Sequence, residues 1–156
     1  MIILDTNIIS EMMRPYPHYN VITWLDEKDN NELYLSAIVV AELFSGVARM
    51  PEGKRQRELK LKLAEAIQTK FDEQVLPFDA MSAMQYAQLM GRNQRQGKLM
   101  SMPDTQIAAI CLQYGATLAT RNIKDFLHCG IELIDPWQAI GGQRLHEEAA
   151  GYGTKP

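Results

Sequence analysis

Asp5, Glu42, Asp104 and Asp125 are the residues whose type and setting point to chemistry. Asp5 directly follows the apolar run Ile2-Ile3-Leu4, which reads as a buried strand ending in the polar turn Asp5-Thr6-Asn7. Glu42 lies early in the helical stretch after a second strand, and Asp125 lies in the turn after a fourth. Asp104 sits in the first turn of the helix that feeds this fourth strand. In open parallel sheets, ligand sites gather outside the carboxyl ends of the strands, which is where Asp5, Glu42 and Asp125 fall. Carboxylates brought together repel one another and call for cations, and Mg²⁺ or Mn²⁺ prefers such hard oxygen ligands while retaining waters. A centre of this kind can bind a phosphodiester, activate a water as nucleophile and stabilise the leaving oxygen. Nothing in the set favours redox or acyl chemistry.

Each acid also has a structural explanation. Asp5 can cap the next helix or close an Asx-turn. Asp104 can complement a helix N-terminus, and Asp125 can cap a short turn before Phe126. Glu42 is harder to explain this way. Its neighbours Ile38, Val39, Val40, Ala41, Leu43, Phe44, Val47 and Ala48 leave its helix no clearly polar face, so it is expected to be buried. A lone buried carboxylate costs on the order of several kcal/mol unless it is paired or binds a metal. Arg49 and Arg121 are the candidate partners for an ion pair.

The elements that must position these acids follow from the apolar pattern. Strands are expected at 2–4, 33–36, 75–78, 116–120 and 131–134. Helices are expected over 8–13, interrupted by Pro15 and Pro17, and over 21–27, 37–50, 54–71, 80–96 and 103–113. Asp79 reads as a helix cap, and Gly97 and Gly115 as helix stops. Short strands alternating with helices imply an α/β fold, a mainly parallel sheet of about five strands covered by helices. The 156 residues suggest one domain, residues 1–140. Residues 141–156, with four glycines and few apolar residues, read as a tail outside the core.

Composition sets further bounds. Hydrophobic residues make up 46% and charged residues 22%, an ordinary globular balance. A net charge of −3 argues against a simple nucleic-acid coat protein, but less against a nuclease whose acidic site is loaded with cations. Cys111 and Cys129 show no CxxC spacing, which points to small buried thiols rather than a disulfide framework or a zinc site. With no signal peptide or membrane span in view, the expected location is cytoplasmic. There is no GxSxG elbow, and residues 91–98 only mimic a phosphate loop, with five residues between the glycines and Leu99 in place of Ser or Thr. His18, His128 and His146 are scattered, and the nine methionines read as core filling.

Four segments together resemble the PIN-domain ribonucleases, in particular the VapC toxins of bacterial toxin–antitoxin pairs and their FitB-like branch. They are Leu4-Asp5-Thr6-Asn7, Leu35-Ser36-Ala37-Ile38-Val39-Val40-Ala41-Glu42-Leu43, Asp104-Thr105-Gln106-Ile107-Ala108-Ala109 and Thr120-Arg121-Asn122-Ile123-Lys124-Asp125-Phe126. Asp135-Pro136-Trp137 resembles the ending of that branch, and the likeness stops near Trp137. Each motif alone is weak; four in order at matching spacings are strong. The resemblance implies a three-layer α/β/α PIN-like domain and Mg²⁺- or Mn²⁺-dependent RNA cleavage. It also implies a homodimer inhibited by a VapB- or FitA-like antitoxin that holds operator DNA. Asp5, Glu42 and Asp104 carry over directly. The fourth acid is Asp125 here, while some FitB-like members place theirs where Asn122 stands, so Asn122 is the alternative, orienting a water. Thr6 and Thr120 are candidate supporting hydroxyls. On this reading Asp5 and Asp104 hold a metal directly, and Glu42 and Asp125 hold it through water or support a second ion.

Two basic clusters are candidates for substrate contact or for plain solvated helix faces: Lys54, Arg55, Arg57, Lys60 and Lys62, and then Arg92, Arg95 and Lys98. The rival functions are an antitoxin-partnered dimer acting mainly at operator DNA, and an α/β domain whose acids are only caps and ion pairs. DNA instead of RNA as substrate is a third variant, because both offer the same phosphodiester.

Overall fold

The computed structural model describes residues 1–138 and the backbone of 143–145. The apolar runs become strands β1 (Ile2–Leu4), β2 (Leu33–Ser36), β3 (Val75–Leu76), β4 (Thr117–Ala119) and β5 (Leu133–Asp135). Between them lie helices α1 (Thr6–Met12), α2 (Tyr19–Asp26), α3 (Ala37–Ala48), α4 (Lys54–Lys70), α5 (Ala80–Arg95), α6 (Met102–Tyr114) and the short α7 (Ile123–Phe126). A final strand, β6 (Gln143–Leu145), runs antiparallel to β5. The sheet order is β3-β2-β1-β4-β5-β6, and every pairing except the last is parallel. The fold is the three-layer α/β/α arrangement implied by alternating strands and helices.

β1 lies at the centre because it is apolar on both faces. Ile3 and Leu4 are fully buried, as expected of a parallel strand covered on both sides. It pairs with β2 through Ile2–Leu33 and Ile3–Tyr34, and with β4 through Ile2–Thr117, Ile3–Leu118 and Leu4–Ala119. From β1 the chain moves outward to β2 and β3, then returns to add β4 on the other side of β1. The connections after β1 and β4 therefore diverge, which opens a crevice at their carboxyl ends.

Leu35, Leu118 and Leu133 join β1 in the core, with Trp24, Ile8, Leu63, Leu89, Ile107, Ile110 and Phe126 packed from the helices. Each such side chain contributes about 1.5–3 kcal/mol of burial. Local signals set the helix ends. The Ser36 hydroxyl accepts from Val39 N–H at 3.1 Å, so α3 starts where β2 stops. Asp79 caps α5 by accepting from Ser82 N–H at 3.0 Å. Gly115 ends α6 with φ 61°, a left-handed turn that glycine adopts without a Cβ penalty.

The sequence reading differs from the structure in detail. The turn after β4 contains α7, and the loop before β2 contains a 3-10 turn at Asn30–Glu32. Gln143–Leu145, in the stretch read as a tail, adds a strand to the sheet edge. His146 lies outside the described residues. Among the described residues, no helix is long and apolar enough to cross a membrane.

Candidate functional site

Asp5 lies at the divergence of β1 and β4. Its own N–H donates to Ala119 O at 2.9 Å, which continues the sheet one residue past β1. The residue is 4% exposed. One carboxylate oxygen caps α1 by accepting from Thr6 N–H at 2.8 Å, and the other accepts from the Thr120 hydroxyl at 2.7 Å. Asp5 is therefore a helix cap and also a wall of the crevice. Burial raises its pKa, and the charges of Glu42 and Asp125 add to the rise. The bonds from Thr120 and Thr6 pull the other way, and the net shift is upward.

Thr6 joins two of the acids. Its N–H serves Asp5, while its hydroxyl donates to Glu42 Oε1 at 2.9 Å. Glu42 itself is half-buried rather than buried. The expectation of burial fails because α3 buries only the stripe Val39, Leu43 and Val47 and leaves Ala41 and Ala48 open to solvent. An apolar residue on the open side of a helix is ordinary, so an all-apolar pattern overstated the covering of its one acid. Neither Arg49 nor Arg121 pairs with Glu42. Among the described residues the salt bridges are Arg14–Glu11 and Lys54–Glu58.

Asp104 occupies the first turn of α6, where Ser101 caps the helix by accepting from Asp104 N–H at 3.2 Å. Its carboxylate pKa is raised, first by burial and then by the charge of Asp5, with Asp125 adding to it and Ser101 opposing. Asp104 thus senses Asp5, and both sense Asp125. Asp125 is exposed on α7 and lines a neighbouring cleft with Lys124 and Asp135. Asn122 lines both clefts, and its N–H donates to the Thr120 hydroxyl oxygen at 3.0 Å.

One cleft of about 530 Å³ brings together Asp5, Glu42 and Asp104, with Thr6, Asn7 and Asn122 between them. Ser10, Glu11, Arg14, Arg121 and Trp137 complete its lining. The sequence reading gave Glu11, Arg14 and Trp137 no part in the site. The available signal was slight: an acid and a base three apart in Glu11 and Arg14, and the Asp-Pro-Trp segment. The donor set is all hard oxygen, the kind that Mg²⁺ and Mn²⁺ select. Among the described residues, no three of these acids converge closely enough to chelate an ion alone. An ion here would therefore complete its shell with water, as Mg²⁺ commonly does.

The basic clusters separate. Arg55 and Lys62 line a groove of about 810 Å³ that runs from Thr6 and Glu42 between α1, α3 and α4, whereas Arg57 and Lys60 face another hollow. Arg92 ties α5 to the segment after α7 by donating to His128 O at 3.2 Å. His18 caps α2 through its ring nitrogen, and both cysteines are buried and joined in no disulfide among the described residues.

The PIN domain family matches residues 2–129. The plasmid stability protein StbB of Pseudomonas syringae pv. tomato is 42% identical over 89% of this chain and 100% of its own length. The VapC ribonuclease Y4jK of Sinorhizobium fredii is 40% identical, covering 88% of this chain and 99% of its own. Toxin FitB of Neisseria gonorrhoeae is 41% identical with the same two coverages, 88% and 99%. Among solved structures, FitAcB from Neisseria gonorrhoeae superposes with a TM-score of 0.83 at 40% identity, over 88% of this chain and 99% of that one. VapBC2 from Rickettsia felis, bound to a promoter DNA fragment, superposes with a TM-score of 0.69 at 26% identity, over 86% of this chain and 100% of that one. The chain belongs to the PIN-domain family, among its VapC and FitB members.

Proposed function

We propose that the chain is a divalent-metal-dependent endoribonuclease, the toxin of a VapBC-type toxin–antitoxin module. The observation that carries the reading is the single cleft where Asp5, Glu42 and Asp104 meet, each held by a cap, a hydroxyl or a helix start. Relatives named as a VapC ribonuclease and a FitB toxin support the assignment to RNA.

Asp5 and Asp104 would hold the ion directly, with Glu42 and Asp125 acting through water or on a second ion. A bound Mg²⁺ or Mn²⁺ supplies positive charge to a phosphodiester and lowers the pKa of a water. The chain's own residues prepare for this. Thr120 and Thr6 N–H fix both oxygens of Asp5, and the Thr6 hydroxyl fixes one oxygen of Glu42. Pre-set ligands of this sort do not have to be ordered when the ion arrives. Asn122 lines the same cleft, and its amide would orient a water there. The carboxylates position; the leaving oxygen takes its proton from solvent.

The partners that fit are RNA as substrate, a second copy of the chain, and a VapB- or FitA-like antitoxin through which operator DNA is held. The test is incubation of the purified chain, free of antitoxin, with total RNA and Mg²⁺, Mn²⁺ or a chelator. Cleavage should require the ion and disappear in Asp5→Asn and Asp104→Asn, and addition of antitoxin should suppress it. Equal RNA breakdown by wild type and Asp104→Asn would refute the reading. An inert chain that still binds operator DNA with its antitoxin would favour the rival function.

A further inference from the structure

Arg121 and Trp137 meet at the rim of the acidic cleft, where the Arg121 guanidinium lies 5.1 Å from the centre of the Trp137 ring. Such stacking holds a cation in place while leaving its N–H edge free. Arg121 is exposed, and among the described residues no carboxylate lies within salt-bridge distance of it, although an acidic cluster shares the cleft. Arg14, the other arginine of this rim, is already engaged with Glu11 at 3.1 Å.

The backbones of both residues are tied down. Arg121 N–H donates to Asn7 Oδ1 at 3.3 Å, and the Asn7 amide donates to the Thr120 hydroxyl oxygen at 3.4 Å. That hydroxyl is the one that donates to Asp5. On the other side, the Asn20 amide donates to Trp137 O at 2.9 Å, and Trp137 N–H donates to an Asp135 carboxylate oxygen at 2.9 Å. A guanidinium without a carboxylate partner is thus held at a set position relative to Asp5. The planar fork of arginine matches the oxygens of a phosphate, which a lysine would meet only as a point charge.

We propose that Arg121, seated on Trp137, binds a backbone phosphate of the RNA strand next to the one cleaved, and that Trp137 is its positioning residue. The proposal rests on the nuclease reading of the same cleft, and it adds the residue that sets the strand's register against the acids.

The experiment measures binding of a fluorescein-labelled single-stranded RNA of mixed sequence to the full chain carrying Asp104→Asn, in Mg²⁺ over a range of salt. Adding Arg121→Ala should weaken binding roughly tenfold, the size of one charged hydrogen-bonded contact. It should also reduce the slope of log affinity against log salt by about 0.7, the value for one phosphate on a single strand. Arg121→Lys should restore the slope but only part of the affinity. Trp137→Phe should keep most of the affinity, and Trp137→Ala should lose part of it with the slope retained. With Asp104 restored, Arg121→Ala should raise KM more than it lowers kcat. Unchanged affinity and slope in a folded Arg121→Ala protein would overturn the proposal. If wild type fails to cleave while the binding differences persist, the nuclease reading falls and the phosphate contact stands.

Discussion

The Thr120 hydroxyl donates to Asp5 Oδ2 over 2.7 Å, across 115 residues of sequence. The bond spans the crevice between β1 and β4, and it is buried. Replacing Thr120 with valine keeps the shape and removes the donor. Thr120→Val should cost about 1–3 kcal/mol of stability and weaken Mn²⁺ binding roughly 10–100-fold. Thr120→Ser should recover most of both. Thermal unfolding and calorimetric Mn²⁺ titration measure the two effects separately.

Thr6 couples Asp5 to Glu42, so its hydroxyl should matter beyond its own size. Thr6→Val should lower kcat for RNA cleavage by roughly tenfold while leaving the Asp5 cap on α1 intact, because the backbone N–H remains. Thr6→Ser should behave as wild type. A Thr6→Val enzyme with unaltered kcat would show that Glu42 needs no orientation.

Asp104 illustrates the conflict between a charged site and stability. Its pKa is raised by burial and by Asp5, so in the absence of metal the folded state binds its proton more readily than the unfolded state does. Ionised Asp104 therefore destabilises the metal-free protein at neutral pH. Asp104→Asn should raise Tm there by roughly 1–2 °C, a small effect because the group is half-exposed and screened. The gain should shrink as pH falls through the raised pKa, since wild type is then neutral too. Millimolar Mg²⁺ should stabilise wild type and not the variant.

Glu11 presents the opposite sign. Burial pushes its carboxyl pKa upward, but the Arg14 hydrogen bond, the His18 N–H and the Arg14 charge outweigh that, and the net shift is downward. Its stabilisation is present above the ordinary carboxylate pKa and is lost as pH falls through the lowered value. Glu11→Gln should lower Tm at pH 7, with the difference from wild type narrowing in acid below the ordinary Glu range. Tm measured from pH 7 down to pH 3 checks this.

Leu118 is fully buried on β4, beside the crevice. Leu118→Ala should cost about 2–5 kcal/mol, read by urea unfolding, as for other core truncations that leave a cavity.

The strands at 2–4, 33–36 and 117–119 were legible in the sequence because a covered parallel strand is an apolar run between polar turns. The helix ends at Asp79 and Gly115 were legible for a similar reason: capping is chemistry within a few residues. Asp5, Glu42 and Asp125, too, were marked by their place after strands, and Asp104 by its place at a helix start. Other features depended on the fold. Whether Glu42 is covered depends on which side of α3 its neighbours occupy, and an all-apolar pattern carries no such direction. That Asn122 lines the cleft of Asp5 while Asp125 faces a neighbouring one depends on the α7 turn. The link from Asp5 through Thr120 and Asn7 to Arg121, and the seat of Arg121 on Trp137, join segments that no local pattern relates. Local sequence determined the elements and the stock of carboxylates, because propensity, capping and burial period act over a few residues. Only the tertiary structure decided which of these groups share a cleft, because that follows from the return of β4 to the far side of β1.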